Sequence, residues 1–198
     1  MTEGKLAVIV ALVLSVLFGP LAADAQQPER VYRIGLLDYS ASDARRDRWN
    51  AFRQQMRELG YVEGQNVSFE PRWAQVDNDR LSKLAAELVG LKVDVIVTGA
   101  TNATIAAKRA TSTIPIVTAV GSDPVALGLV ASFRQPGGNV TGLTSISSEL
   151  SAKRLEFVRL VVPHASHVAI LWDERNPASR LAVQETEAAA RTLGTGRQ

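Results

Sequence analysis

The sequence contains no cysteine. That excludes both a disulfide framework and a lipidated cysteine, so an exported form of the chain is expected to be freely soluble in an oxidising compartment. Charge of one sign is lacking as well: 22 basic residues face 20 acidic ones, a net of +2. A balance this even gives no argument for nucleic acid as a partner. The cluster Arg45-Arg46-Asp47-Arg48 reads most simply as the solvated face of a helix that also carries acids. Catalytic signatures are missing too. There is no G-x-S-x-G elbow, no phosphate-binding G-x-x-x-x-G-K-[ST], and no G-x-G-x-x-G after the first strand-like run. The two histidines, His164 and His167, straddle the entry to a strand-like run after Pro163, which argues against one helix face presenting both to a metal. No catalytic residue, no metal and no cofactor is therefore expected.

A membrane-spanning run is also absent from this reading. The hydrophobic stretch from Leu6 to Phe18 falls short of the ~20 residues a span needs. It follows Lys5 and precedes Gly19-Pro20 and Ala23-Asp24-Ala25, the layout of a secretory signal peptide cleaved before Gln26. Residues 1–25 are read as that leader and the mature chain as periplasmic.

What is present is a regular alternation of strand-like and helix-like patterns. Strands are expected at Val31 to Asp38, Asn66 to Trp73, Val93 to Thr98, Ile114 to Val120, Val140 to Thr144 and His167 to Asp173. Helices are expected at Arg45 to Leu59, Asp79 to Val89, Asn102 to Thr111, Ser148 to Val162 and Asn176 to Thr192, with a short one near Val125 to Phe133. Trp49, Phe52, Met56 and Leu59 stack on one helical face. Pro71 marks an edge strand, and the β-branched run before Gly99 marks a central one. Such an order implies an α/β fold with a doubly wound parallel sheet and right-handed crossovers.

In sheets of this kind ligands bind outside the carboxyl ends of the strands, where crossovers diverge. Three turns gather there: Asp38-Tyr39-Ser40-Ala41-Ser42, Gly99-Ala100-Thr101-Asn102 and Gly121-Ser122-Asp123-Pro124. Each opens a helix, so free backbone N–H groups and the positive end of a helix dipole face one space. Ser40, Thr101, Asn102 and Ser122 add hydroxyl and amide groups, Asp38 or Asp123 could pair with an ammonium, and Tyr39 could form an aromatic wall. That set suits a zwitterionic solute such as an amino acid. A second reading stands beside it: Asp123 before Pro124, Asn102, and Ser42 or Asp43 are also ordinary helix caps. Pro136-Gly137-Gly138-Asn139 is turn chemistry. Trp49 and Trp73 are read as packing. Asp173, beside Trp172 at the end of the last strand-like run, joins the candidates.

The segments Gly121-Ser122-Asp123-Pro124 and Gln135-Pro136-Gly137-Gly138-Asn139-Val140-Thr141-Gly142, with the leader Gln26 to Gly35 and the segment Leu59 to Val67, resemble the substrate-binding proteins of ABC transporters, of the tryptophan/tyrosine type. The resemblance implies two α/β lobes of the type I periplasmic-binding-protein-like kind and a small-molecule solute held between them. It also implies delivery to an ABC permease and its ATPase at the inner membrane. Carried over by position, it puts the solute near Tyr39, Ser40, Gly99, Ala100, Thr101, Asn102, Ser122 and Asp123, with Thr144 at the hinge. Residues 26–147 would be lobe one and residues 148–198 the start of lobe two. Against that family the chain reads as C-terminally truncated, and weak or absent solute binding is expected of it. An exported sensing domain for a signalling partner and a small exported hydrolase are the competing readings.

Overall fold

A computed structural model describes residues 30–145 and 150–192. The leader read at 1–25, its cleavage before Gln26, the start of the helix expected from Ser148 and the last residues from Leu193 lie outside the described residues. Elements follow in the order β1 (Tyr32–Asp38), α1 (Arg46–Glu58), β2 (Val67–Trp73), α2 (Asn78–Gly90), β3 (Val95–Thr98), α3 (Thr101–Ala110), β4 (Ile116–Thr118), β5 (Val140–Gly142), α4 (Ser151–Val161) and α5 (Pro177–Thr192).

The five strands form one parallel sheet in the order β2-β1-β3-β4-β5. Ile34 to Asp38 are buried in succession, the pattern of a strand covered on both faces. β1 accordingly sits between β2 and β3, with Ile34 paired to Phe69 on one side and to Val95 on the other. Pro71 lies in β2 at the sheet edge, where its missing N–H breaks no inner ladder.

Alternation along each strand divides the core in two. Ile34, Leu36, Val67, Phe69 and Val97 face α1 and pack with Trp49. Leu37, Ile96, Ile116 and Val140 face the opposite way, against Leu81, Leu84 and Leu88 of α2 and the small side chains Ala103, Ala106 and Ala107 of α3. The crossover from β1 to β2 therefore runs on one face and that from β2 through α2 to β3 on the other. Chain segments diverge at the carboxyl ends of β1 and β3, the place where such sheets leave a crevice.

Several expectations are corrected. No helix forms at 125–133. Gly128 adopts φ +65, which reverses the chain, and both Leu129 and Val130 donate backward to the Pro124 carbonyl at 2.7 and 3.2 Å. Residues 167–173 form no strand and pair with none among the described residues, because alternating apolar residues supply a face and not a partner. β5 ends at Gly142 rather than Thr144. Leu59 is 65% exposed, since it is the C-cap of α1 and lies past the buried stripe. The cap of α2 is Asp77, not Asn78 or Asp79: its Oδ1 accepts from the N–H groups of Asp79 and Arg80 at 2.8 and 3.0 Å.

Candidate functional site

The expected site residues fall into three groups along the carboxyl edge. The first surrounds Asp38, the last residue of β1, which faces α1 and is fully buried. Its Oδ1 accepts from the Ser40 N–H at 2.9 Å and its Oδ2 from the Trp49 Nε1–H at 3.0 Å. Arg45 Nη1 lies 3.6 Å from Oδ1 and also donates to the Gly99 carbonyl. A buried carboxylate is tolerable only when it is paired and hydrogen-bonded, and here two N–H donors and the Arg45 ion pair meet that demand. Asp38 thus shapes the crevice floor and turns the chain through Ser40. Its oxygens are already engaged, so the expected contact with a solute ammonium is not favoured by this geometry.

Gly99 closes the same group. A Cβ there would stand 2.1 Å from Asp38 Oδ2 and 2.9 Å from Trp49 Cζ2, so only glycine lets β3 pass this close to the buried carboxylate. Beyond it lies an apolar cavity of about 100 Å³ whose lining includes Arg45, Trp49, Phe52, Gly99 and Val120.

The second group joins α3 to the turn after β4. Thr101 Oγ1 accepts from the Ser122 N–H at 3.0 Å, which fixes the two turns to each other. Beneath them the buried hydroxyls of Thr98 and Thr104 are 2.7 Å apart, and Thr104 donates toward Thr118 at 3.2 Å. Thr101, Gly121, Ser122 and Thr144 line a second cavity of about 110 Å³. Asp123 accepts from the N–H groups of Val125 and Ala126 at 2.8 and 3.1 Å, so the helix cap weighed from sequence is instead the cap of a turn, since no helix begins at Pro124.

The third group reaches across to the segment before α5. Asn102 Nδ2 donates to Asn78 Oδ1 at 2.9 Å and to the Arg175 carbonyl at 3.2 Å. Asn102 is therefore a long-range tie inside α3 and not its cap, a correction of the sequence reading. Arg175 in turn donates from Nε and from its backbone N–H to Asp173 Oδ1, at 3.1 and 3.0 Å. The Nε bond first, and then the backbone one, hold the Asp173 carboxyl below its usual pKa, while the Nε bond and the Asp173 charge raise that of the guanidinium. Tyr39 is only half-buried, yet its ring packs on the α2/α3 side of the core and its hydroxyl is buried without a hydrogen-bond partner.

Helix starts differ in a way that sequence did not reveal. α2 carries the Asp77 cap, while α1 and α3, the helices that begin at the β1/β3 divergence, have Arg45 and Ala100 at the cap position and no side-chain cap bond. The first N–H groups of α3 are left for another acceptor, whereas at α1 the Arg46 and Arg48 N–H groups already donate to the Asp43 and Arg45 carbonyls at 3.3 and 3.1 Å. Neither Ser42 nor Asp43 caps α1, contrary to expectation. Arg45 was missed because it sits in a charged run that looks solvated. Only the fold shows its guanidinium turned inward.

Known proteins share this architecture. The family model described as ABC transporter substrate binding protein matches residues 33–195. A tyrosine-binding protein of Clostridioides difficile (strain R20291) is 33% identical over 132 residues, which is 67% of this chain and 38% of that protein. Among solved structures, a conserved domain protein from Vibrio cholerae O1 biovar El Tor N16961 is 26% identical with a TM-score of 0.73. An ABC domain from Streptococcus pneumoniae in complex with L-Trp is 24% identical with a TM-score of 0.70 and shares the fold. Each alignment covers 83% of this chain and 55% of the solved one, so the chain spans about half the length of these structures. By the family match, which takes in most of its length, this chain belongs to the ABC transporter substrate-binding proteins.

Proposed function

We propose that the chain is the solute-binding component of a periplasmic importer and that it receives a free amino acid at the divergence of β1 and β3. The observation that carries this reading is the start of α3 at that divergence, which has no side-chain cap bond, whereas α2 carries the Asp77 cap. Open N–H donors and the positive end of the α3 dipole suit the carboxylate end of an amino acid. Ser40, Thr101 and Ser122 supply hydroxyl groups at the same edge, and Asp123 supplies the negative partner for the ammonium. The side chain then occupies one of the apolar cavities that open there, of about 100 and 110 Å³. Relatives named for tyrosine binding and crystallised with L-Trp favour an aromatic solute.

In this reading residues 26–147 form lobe one, residues 148–198 begin lobe two, and Thr144 lies at the hinge. Asp173 approaches from the far side of the cleft through its bond with Arg175. The solute would pass to an ABC permease driven by its ATPase in the inner membrane, and the chain would act without catalysis. Calorimetric titration with single L-amino acids tests the proposal: weak but saturable one-to-one binding of at least one of them is expected. Heats indistinguishable from dilution for all twenty at millimolar concentration would refute it.

A further inference from the structure

The proposed carboxylate site has a cation beside it that nothing in the family match assigns. Arg45 precedes α1, yet its side chain does not run into solvent. Nη1 donates to the Gly99 carbonyl and stands 3.6 Å from the buried Asp38 Oδ1. Gly99 is two residues before the first residue of α3, so the guanidinium lies against the uncapped start of that helix. The Arg45 side chain remains 29% exposed while Asp38 is wholly buried.

We infer that Arg45 is a specificity-determining residue: its guanidinium, steadied through Nη1, presents its remaining donors to the carboxylate of the solute. The inference rests on the amino-acid reading given above and extends it to the chemical class the site requires, an apolar-bodied carboxylic acid.

Three physical features support the assignment. A guanidinium offers five N–H donors in a flat fork, so engagement of one nitrogen by Gly99 and Asp38 leaves an edge able to take a carboxylate in two parallel bonds. Asp38 pairs with Nη1 at 3.6 Å and offsets part of the Arg45 charge, so selection for a carboxylate rests on the directed donors of the guanidinium rather than on net potential. The Asp38 charge also makes a partly buried arginine tolerable in the absence of solute. Finally, the cavity that Arg45 borders is lined mainly by carbon-rich surface, including Trp49, Phe52 and Val120, with Asp38 and Arg48 as its other charged residues. A cation at the rim of an apolar cavity selects a ligand with an apolar body and one anionic end. Arg48 borders the same cavity and adds positive potential to it.

The test compares L-tryptophan and L-tyrosine with their carboxamides, which keep the ammonium and the ring but lose the anion. Dissociation constants are measured for the wild-type chain and for Arg45→Gln. Wild type is expected to prefer the acid by about ten- to a hundredfold, the size of a charge-assisted hydrogen bond, and Arg45→Gln to bring the ratio close to one. A purely structural role for Arg45 would weaken acid and amide together and leave their ratio unchanged, which would overturn the inference while the amino-acid reading stands. Binding of neither acid nor any other amino acid by wild type would overturn that reading and the inference with it. Should Arg45→Gln fail to fold, NMR of the wild-type chain decides. The Arg45 Nε–Hε resonance is expected to move on adding the acid and not the amide; a resonance unmoved by bound acid overturns the assignment.

Discussion

Substituting Gly99 by alanine should cost this fold a large share of its stability. The added Cβ would stand 2.1 Å from Asp38 Oδ2, 2.8 Å from Asp38 Cγ and 2.9 Å from Trp49 Cζ2. Ordinary contact for such atoms begins near 3.4 Å, so the carboxylate must retreat by roughly 1.3 Å or the strand must shift by as much. Either movement breaks the 3.0 Å bond from Trp49 Nε1 and disturbs the Arg45 pair. Overpacking of a tight interior costs about 1–3 kcal/mol. Loss of a hydrogen bond to a buried charge adds about 1.5–3 kcal/mol. The sum, roughly 2.5–6 kcal/mol, is a large share of the whole stability of many domains, about 5–15 kcal/mol. Thermal unfolding followed by far-UV circular dichroism and tryptophan fluorescence measures it. At about 2–4 °C per kcal/mol for a chain of this size, Gly99→Ala should lower Tm by roughly 5 °C or more. A change below about 2 °C would mean that β3 does not pass this close to Asp38, and the described crevice floor would be wrong.

Gly90 ends α2 without a positive φ, and a Cβ added there would meet nothing within 4 Å, so Gly90→Ala should stabilise the fold by about 0.5–1 kcal/mol, read as a higher urea midpoint. Thr104→Val removes the hydroxyl shared with Thr98 and Thr118 in a buried site and should cost about 1–3 kcal/mol, whereas Thr113→Val at the surface should cost almost nothing. The Asp77 carboxyl is held below its usual value by the Arg80 N–H, with the Asp79 N–H and nearby cations adding to the effect. A lowered folded pKa stabilises above the unfolded value near 3.9 and loses that contribution as pH falls through the folded one. Asn caps a helix about as well as Asp. Asp77→Asn should therefore leave the neutral-pH melt nearly unchanged and make the acid limb of Tm against pH shallower, while a steeper limb would contradict the sign.

Much of the sheet was legible because its signals are local. Five buried residues in a row at Ile34 to Asp38 place β1 inside the sheet, Pro71 places β2 at its edge, and the β-branched run to Thr98 places β3 centrally. What failed depended on partners distant in sequence. The apolar alternation at 167–173 specifies a face, yet no described strand lies alongside it. Leu129 and Val130 carry helical spacing, but Gly128 and the bonds from Lys108 Nζ to the Gly128 and Leu129 carbonyls fold that stretch back on α3. The candidate edge was placed by the switch-point rule, and the structure gathers Ser40 with Asp38 and Gly99, and Thr101 with Ser122. Roles within it were not legible. Asp38, offered as an ammonium partner, accepts two hydrogen bonds and pairs with Arg45, Asn102 ties α3 to Asn78 and Arg175, and Arg45 looked like one more surface charge. One-dimensional pattern cannot separate a solvated arginine from one that reaches 54 residues along the chain to the Gly99 carbonyl.

The central claim is that solute is held where β1 and β3 diverge, and amide NMR during titration with L-tryptophan tests it most directly. The account predicts saturable shifts in the N–H resonances of Ser40 and of residues 99–102, joined by the indole resonance of Trp49, with the far ends of β1 and β3 unchanged. Saturable shifts that spare those residues and cluster elsewhere would contradict it.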